Sequence, residues 1–326
     1  VITSYYALLS QEVYRDTLRP DCILQIGQMV VSKRVQQWVA SMQHIPIISV
    51  SPTMDYTNPA GNTTLFVQST PQGLVDALKI QIPELHVMAN EVHAEVADEE
   101  LNTVDNGYLA TWIDADGVGR KQLDTVAREQ ELFEGYTIHL LQELLPKNSQ
   151  LVVANSMSIR DMDYFWSGNR HSAIIYGNRG VNGIDGTVST ALGIATNGMP
   201  TVLLTGDLTF FHDLNGLAVA KTHPLNVTII VHNNDGGGIF EYLPQKGTPY
   251  FDYLFSTAQG LDYSGLATLY GIDFVRVSSN DELKNALQNY VGTMGVHVIE
   301  IPTSKERSRE LHALYTTIPT NKEDQL

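Results

Sequence analysis

The chain has 326 residues, 43% hydrophobic and 17% charged, with a formal net charge of −16. That length supports two domains with cores of their own, and the composition is that of a globular rather than a disordered protein. The acidic balance argues against nucleic acid or anionic membrane as a partner, and no apolar run approaches the ~20 residues of a membrane span. Cys22 is the only cysteine, which rules out an internal disulfide or a cysteine metal cluster and makes the reducing cytoplasm the expected location.

Taken in chain order, residues 1–15 read as a helix, 22–27 as a strand, 32–42 as a helix, 45–50 and 65–68 as strands, and 71–79 as a helix. This alternation predicts a small α/β domain over residues 1–101, incomplete at its start. The polar, glycine-bearing stretch 102–123 reads as an interdomain connection, and 124–326 as the second domain. That domain opens with a predicted helix over 124–145, with Leu132, Tyr136, Leu140 and Leu144 along one face and Pro146 as its stop. Strands follow at 151–154, 173–176, 201–205, 227–231, 274–277 and 296–301, with helices at 159–166, 187–197, 210–222 and 281–290. Strands this continuously apolar predict a doubly wound parallel sheet buried on both faces. The tail from Thr316 is polar and reads as loose.

Four polar motifs directly follow predicted strands: Asn155-Ser156, Gly177-Asn178-Arg179, Gly206-Asp207 and Asn233-Asn234. In a parallel sheet all four converge on the carboxyl edge, where ligands bind. A carboxylate at Asp207, an amide at Asn234 and a backbone carbonyl at Gly236 offer hard oxygen ligands for Mg²⁺ and leave positions free for phosphate oxygens. Asp207 would equally suit a helix N-cap, and Asn234 an ordinary turn. Arg160 and Arg179 have the planar fork that grips carboxylates, and Ser156 lies four residues before Arg160 on the same helix face. Surface ion pairing is the plainer role for both arginines, and a solvated helix face the plainer role for Lys33-Arg34. Dinucleotide-binding, Walker A, GxSxG and HExxH patterns are absent.

Asp207 and Asn234 are 27 residues apart, and this GD…NN arrangement resembles the thiamin diphosphate signature. The run from Asn233 to Pro244 resembles the NN-x-GG-x-IF-x-x-LP segment of the 2-succinyl-5-enolpyruvyl-6-hydroxy-3-cyclohexene-1-carboxylate (SEPHCHC) synthase family of menaquinone biosynthesis. Asn155 to Arg160 resembles its NS-x-x-x-R segment, and Asn178 to Gly186 its NRG-x-x-GIDG segment.

The resemblance implies a transferase using thiamin diphosphate and Mg²⁺, or Mn²⁺. It would decarboxylate 2-oxoglutarate and add the succinyl carbanion equivalent to isochorismate, acting as a homodimer or homotetramer. By the same resemblance the metal ligands are Asp207, Asn234 and Gly236. The cofactor lies against Gly183, Ile184, Asp185, Gly206, Asp207, Leu208, Thr209, Asn234 and Ile239, with Ile184 as a prop. Substrate carboxylates meet Ser156, Arg160, Arg179, Lys33 and Arg34, and Ile239, Phe240 and Leu243 form an apolar wall. The glutamate that activates the cofactor lies on an N-terminal pyrimidine-binding domain in this family, and no stretch here resembles that domain. Residues 1–326 are therefore expected to be a piece of the enzyme and inactive alone. Two other readings stay open: another thiamin diphosphate enzyme of the acetolactate synthase or 2-oxoacid decarboxylase type, and a non-catalytic diphosphate-binding module.

Overall fold

The computed structural model describes residues 2–53, 55, 58–81, 107–168 and 173–318. It divides into two compact units, Val1–Gly119 and Arg120–Leu326.

In the first unit a parallel sheet, β1 (Ile23–Ile26), β2 (Ile47–Ser51) and β3 (Leu65–Gln68), runs in sequence order. The segment read as one N-terminal helix is two short ones, α1 (Tyr5–Leu8) and α2 (Glu12–Thr17). It is well anchored: the Asp116 carboxylate accepts hydrogen bonds from the Thr3 and Ser4 backbone N–H groups, and Ala7 and Leu8 are fully buried. Ser32 caps α3 (Lys33–Ala40) by accepting from the Val35 N–H. Pro71 opens α4 (Pro71–Gln81), where its missing N–H costs nothing. Helix α5 (Gly107–Asp124) contains the boundary between the units. The start of the expected connection, 102–106, and the tail 319–326 lie outside the described residues.

The second unit holds a six-stranded, wholly parallel sheet in the order β5 (Ile174–Gly177), β4 (Gln150–Val153), β6 (Thr201–Gly206), β7 (Asn226–Asn233), β9 (Gly295–Pro302) and β8 (Asp273–Arg276). Successive strand residues point to opposite faces. Val153, Leu204, Ile230 and Ile299 enter one apolar cluster, while their neighbours Val152, Leu203, Ile229 and Val298 enter the other. Helices α6 (Glu134–Leu144), α7 (Met157–Phe165), α11 (Asn280–Tyr290) and α12 (Lys305–Thr316) supply the first cluster. Helices α8 (Thr187–Ile194), α9 (Asp207–Phe211) and α10 (Leu266–Tyr270) supply the second. From β4 the chain moves to one side to form β5, then crosses back to form β6 on the other. The gap between the ends of β4 and β6 is thus the topological switch point, where a doubly wound sheet opens a crevice.

Two further expected helices need correction, and one helix went unpredicted. The helix over 124–145 is a 3₁₀ turn, Thr125–Arg128, followed after a break by α6. Phe133 precedes α6 in extended backbone and is fully buried, its ring 5.5 Å from Phe165 and 5.7 Å from Tyr315. The helix over 210–222 is likewise α9 plus a 3₁₀ stretch, Leu214–Lys221. It breaks at Asp213, whose carboxylate accepts from the Ser189 N–H at 2.6 Å and the Ser189 hydroxyl at 2.9 Å. Helix α12 forms in a stretch for which the sequence predicts no element, between the last strand and the tail; Ser304 caps it and Leu311 and Tyr315 bury its apolar side. Because Phe133 joins three helices, Phe133→Ala should lower unfolding free energy by about 3–5 kcal/mol, measured as a drop in the urea midpoint.

Candidate active site

The four strand-end motifs do meet at one edge of the second sheet. Val153 stands in register with Gly177 on one side and Leu204 on the other, and Gly206 with His232, so the residues after each strand project together. Three of the four motifs line a cavity of about 160 Å³, and Gly177-Asn178-Arg179 stands outside its lining. Its lining includes Asn155, Ser156, Ile184, Gly206, Asp207, Leu208, Thr209, Asn234, Gly236, Ile239 and Phe240.

Asp207 is the first residue of α9, and Gly206 takes the N-cap position, so capping is not the role of the Asp207 side chain. Asp207 is 4% exposed, and its Oδ2 accepts the Gly236 N–H at 2.7 Å. Burial pushes its pKa up to about 6, against the lowering effect of backbone hydrogen bonds from Gly236 and Leu208. Asn234 Oδ1 is buried without a hydrogen-bond partner among the described residues. An orphaned amide oxygen and a costly buried carboxylate on one cavity form a donor set suited to a hard cation.

The loop that presents these groups is tightly specified. Asp235 has φ 56° and Gly236 φ 136°. A Cβ on Gly236 would collide with the Ser256 carbonyl oxygen. Asn233 donates to Glu300 at 2.6 Å and accepts from the Asp235 N–H at 3.1 Å, so the first Asn of the pair shapes the loop while the second faces the cavity.

Across the cavity, Asn155 acts as a hub. Its amide donates to the Asn178 and Gly183 carbonyls, and its oxygen accepts from Arg179 at 2.7 Å. Ser156 has φ 66° and ψ −128°, an unusual conformation for a residue with a Cβ, and its carbonyl accepts from Arg160. Arg160 and Arg179 have no carboxylate partner in an ion pair among the described residues. Desolvation, then the neighbouring Arg160 charge, lowers the Arg179 pKa. Two close guanidinium groups bonded to cavity-lining residues make a place for an anion.

The remaining expected residues fall differently. Ile184 lines the cavity, Gly183 contributes its carbonyl to Asn155, and Asp185 is exposed beside Gly183. Leu243 stands outside the lining, because the 3₁₀ turn Gly238–Tyr242 ends just before it and the chain turns extended. Lys33 and Arg34 belong to the first unit, where Lys33 is exposed and Arg34 lies 3.8 Å from the centre of the Tyr6 ring.

Sequence reading missed four buried polar residues. Glu134, Asp161 and His232 line the cavity, and His312 lies behind them. Burial lowers the His232 pKa, and its Nε2 meets the Thr137 hydroxyl at 3.0 Å. The available signals were Asp161 following Arg160 and His232 preceding Asn233; Glu134 and His312 are remote in sequence from every motif.

Residues 156–301 match the family model of the thiamine pyrophosphate enzyme C-terminal TPP binding domain. A protein named SEPHCHC synthase from Lactococcus lactis is 46% identical over 318 residues, 97% of this chain and 53% of that protein. Proteins of the same name from Desulfitobacterium hafniense and Listeria monocytogenes are 39% and 34% identical, covering 98% of this chain and 54% and 52% of their own lengths. The chain thus spans about half the length of the curated relatives it matches. An X-ray structure from Mycobacterium smegmatis, of an enzyme assigned as thiamin diphosphate-dependent, shares the fold at TM-score 0.56 and 16% identity, over 87% of this chain and 48% of that one. Residues 156–301 thus match the C-terminal thiamine pyrophosphate-binding domain, and the chain is similar along nearly all of its length to proteins named SEPHCHC synthase.

Proposed function

We propose that this chain is the diphosphate-binding portion of a thiamin diphosphate- and Mg²⁺-dependent synthase that decarboxylates 2-oxoglutarate and adds the succinyl carbanion equivalent to isochorismate. The observation that carries this reading is the two-sided cavity: Asp207 and the orphaned Asn234 oxygen on one side, and the anchor points of Arg160 and Arg179 on the other.

When bound, thiamin diphosphate supplies a carbon that adds to 2-oxo acids and accepts the electrons left by CO₂. The chain's own residues hold and orient. Asp207, Asn234 and the Gly236 carbonyl would ligate Mg²⁺, or Mn²⁺, and through it the diphosphate. Ile184, Ile239 and Phe240 give the cavity apolar surface that excludes water. Arg160 and Arg179 would receive substrate carboxylates, and desolvation of Arg179 strengthens such a pairing. Both substrates carry carboxylates, which this pair of cations favours over the uncharged tail of pyruvate. The complete protein is proposed to act as a homodimer or homotetramer.

Turnover of 2-oxoglutarate with isochorismate by the complete protein, compared with turnover of pyruvate, tests the reading. Preference for pyruvate would favour the acetolactate synthase type, and absence of Mg²⁺-dependent cofactor binding would favour a non-catalytic module. Arg179→Ala should raise KM for a carboxylate substrate by about 10–100-fold, the worth of one charge-assisted hydrogen bond. An unchanged KM would remove Arg179 from the substrate site.

A further inference from the structure

Behind the cavity a buried charge pair joins two helices. Asp161 on α7 is 1% exposed and His312 on α12 is 3% exposed. Asp161 Oδ1 and His312 Nε2 are 2.8 Å apart, and His312 Nδ1 is 2.7 Å from the Ser308 carbonyl. A carbonyl only accepts, so Nδ1 carries a hydrogen, and a carboxylate facing Nε2 calls for a second. The ring is therefore an imidazolium. It stands edge-on to Phe133, Phe165 and Tyr242, with centroids 4.9, 5.6 and 5.8 Å away. The chain continues through the Ser308 hydroxyl, which donates to Glu134 on α6 at 2.7 Å.

Asp161 directly follows Arg160, and α7 begins with Met157 and Ser158 on the cavity wall. The other partner is firmly seated. Lys305, two turns before His312 on α12, donates to the Asp235 carbonyl at 2.9 Å and to the Ser256 hydroxyl. Helix α12 is thus fastened to the Asn234–Gly236 loop at one end and to α7 further along.

We propose that Asp161 and His312 are positioning residues that fix α7 against α12, and thereby set where Arg160 stands beside the cavity-lining Ser156. This rests on the reading that Arg160 receives a substrate carboxylate. In surroundings this dry, a rotation of α7 would separate a buried anion from a buried cation, a far larger cost than breaking a neutral contact. Burial alone would lower the His312 pKa, but attraction and hydrogen bonding from Asp161, with Glu134 and the Ser308 carbonyl, outweigh it and hold the pKa above the usual histidine value.

The test uses His312→Gln and Asp161→Asn in the complete protein, each alone and combined with Arg160→Ala. Both substitutions keep a hydrogen-bonding group but remove the charge pair. KM for the carboxylate substrate should rise about tenfold, with a smaller change in kcat, and neither variant should add to the loss caused by Arg160→Ala. Hydrogen exchange without substrate should show faster exchange of the Met157–Phe165 amides. Full additivity with Arg160→Ala, or unchanged exchange in α7, would overturn the proposal. The exchange measurement needs no turnover. It therefore judges the pair even where wild-type protein leaves 2-oxoglutarate and isochorismate untouched, a result that would sink only the functional reading.

Discussion

Asp207→Ala is expected to cost at least about a hundredfold in Mg²⁺-dependent affinity for thiamin diphosphate, beyond the range typical of lost supporting contacts around a metal. The reason is visible without the ion: Asp207 is 4% exposed, and Asn234 on the same cavity offers an oxygen with nothing to accept from. The same residue fixes the pH dependence. Raising a carboxyl pKa from 3.8 to about 6 means the folded chain holds a proton that the unfolded chain has released. Stability from this group is greatest below the unfolded value and falls by about 3 kcal/mol as pH rises through about 6. A cation reverses that cost, since it takes the ionised form. Titration calorimetry on the complete protein should show cofactor affinity dropping up to about tenfold per pH unit below pH ~6, with proton release on binding. Flat affinity between pH 5 and 8, or an Asp207→Ala protein that still binds with Mg²⁺, would remove Asp207 from the metal set.

Gly236→Ala should unfold the loop from the site. Two separate penalties meet there: φ of 136°, which a residue with a Cβ avoids, and a Cβ driven into the Ser256 carbonyl oxygen. Together they should cost about 2–5 kcal/mol. Gly198→Ala is the comparison, because Gly198 also has positive φ, at 81°, but open space around its Cβ position. It should cost only about 1–2 kcal/mol. Urea midpoints separate the two, and the Gly236 variant should also lose cofactor affinity. Equal costs would mean that the close approach to Ser256 contributes nothing.

What the sequence determined by itself is the repeating part of the second unit. Its four inner strands, β4, β6, β7 and β9, are mainly apolar on both faces, so their burial follows from composition, while the edge strands β5 and β8 are largely exposed; all six stand where the pattern put them to within one or two residues. The short polar motifs after the strands were equally legible, because a parallel sheet brings every strand end to the same edge whatever the strand order. Asp207, Asn234, Ile184 and Phe240 reach one cavity for that reason. Tertiary structure alone decided the rest. Strand order put the crevice between β4 and β6, a choice that local propensity does not contain. Helical periodicity ran unbroken through 124–145, yet burying Phe133 against Phe165 and Tyr315 ended it, since packing outweighs the few tenths of a kcal/mol that propensity offers per residue. The Asp161–His312 pair was illegible for a related reason. Its partners are 151 residues apart, and a charge is tolerated in the core only when folding delivers its counterion from elsewhere in the chain.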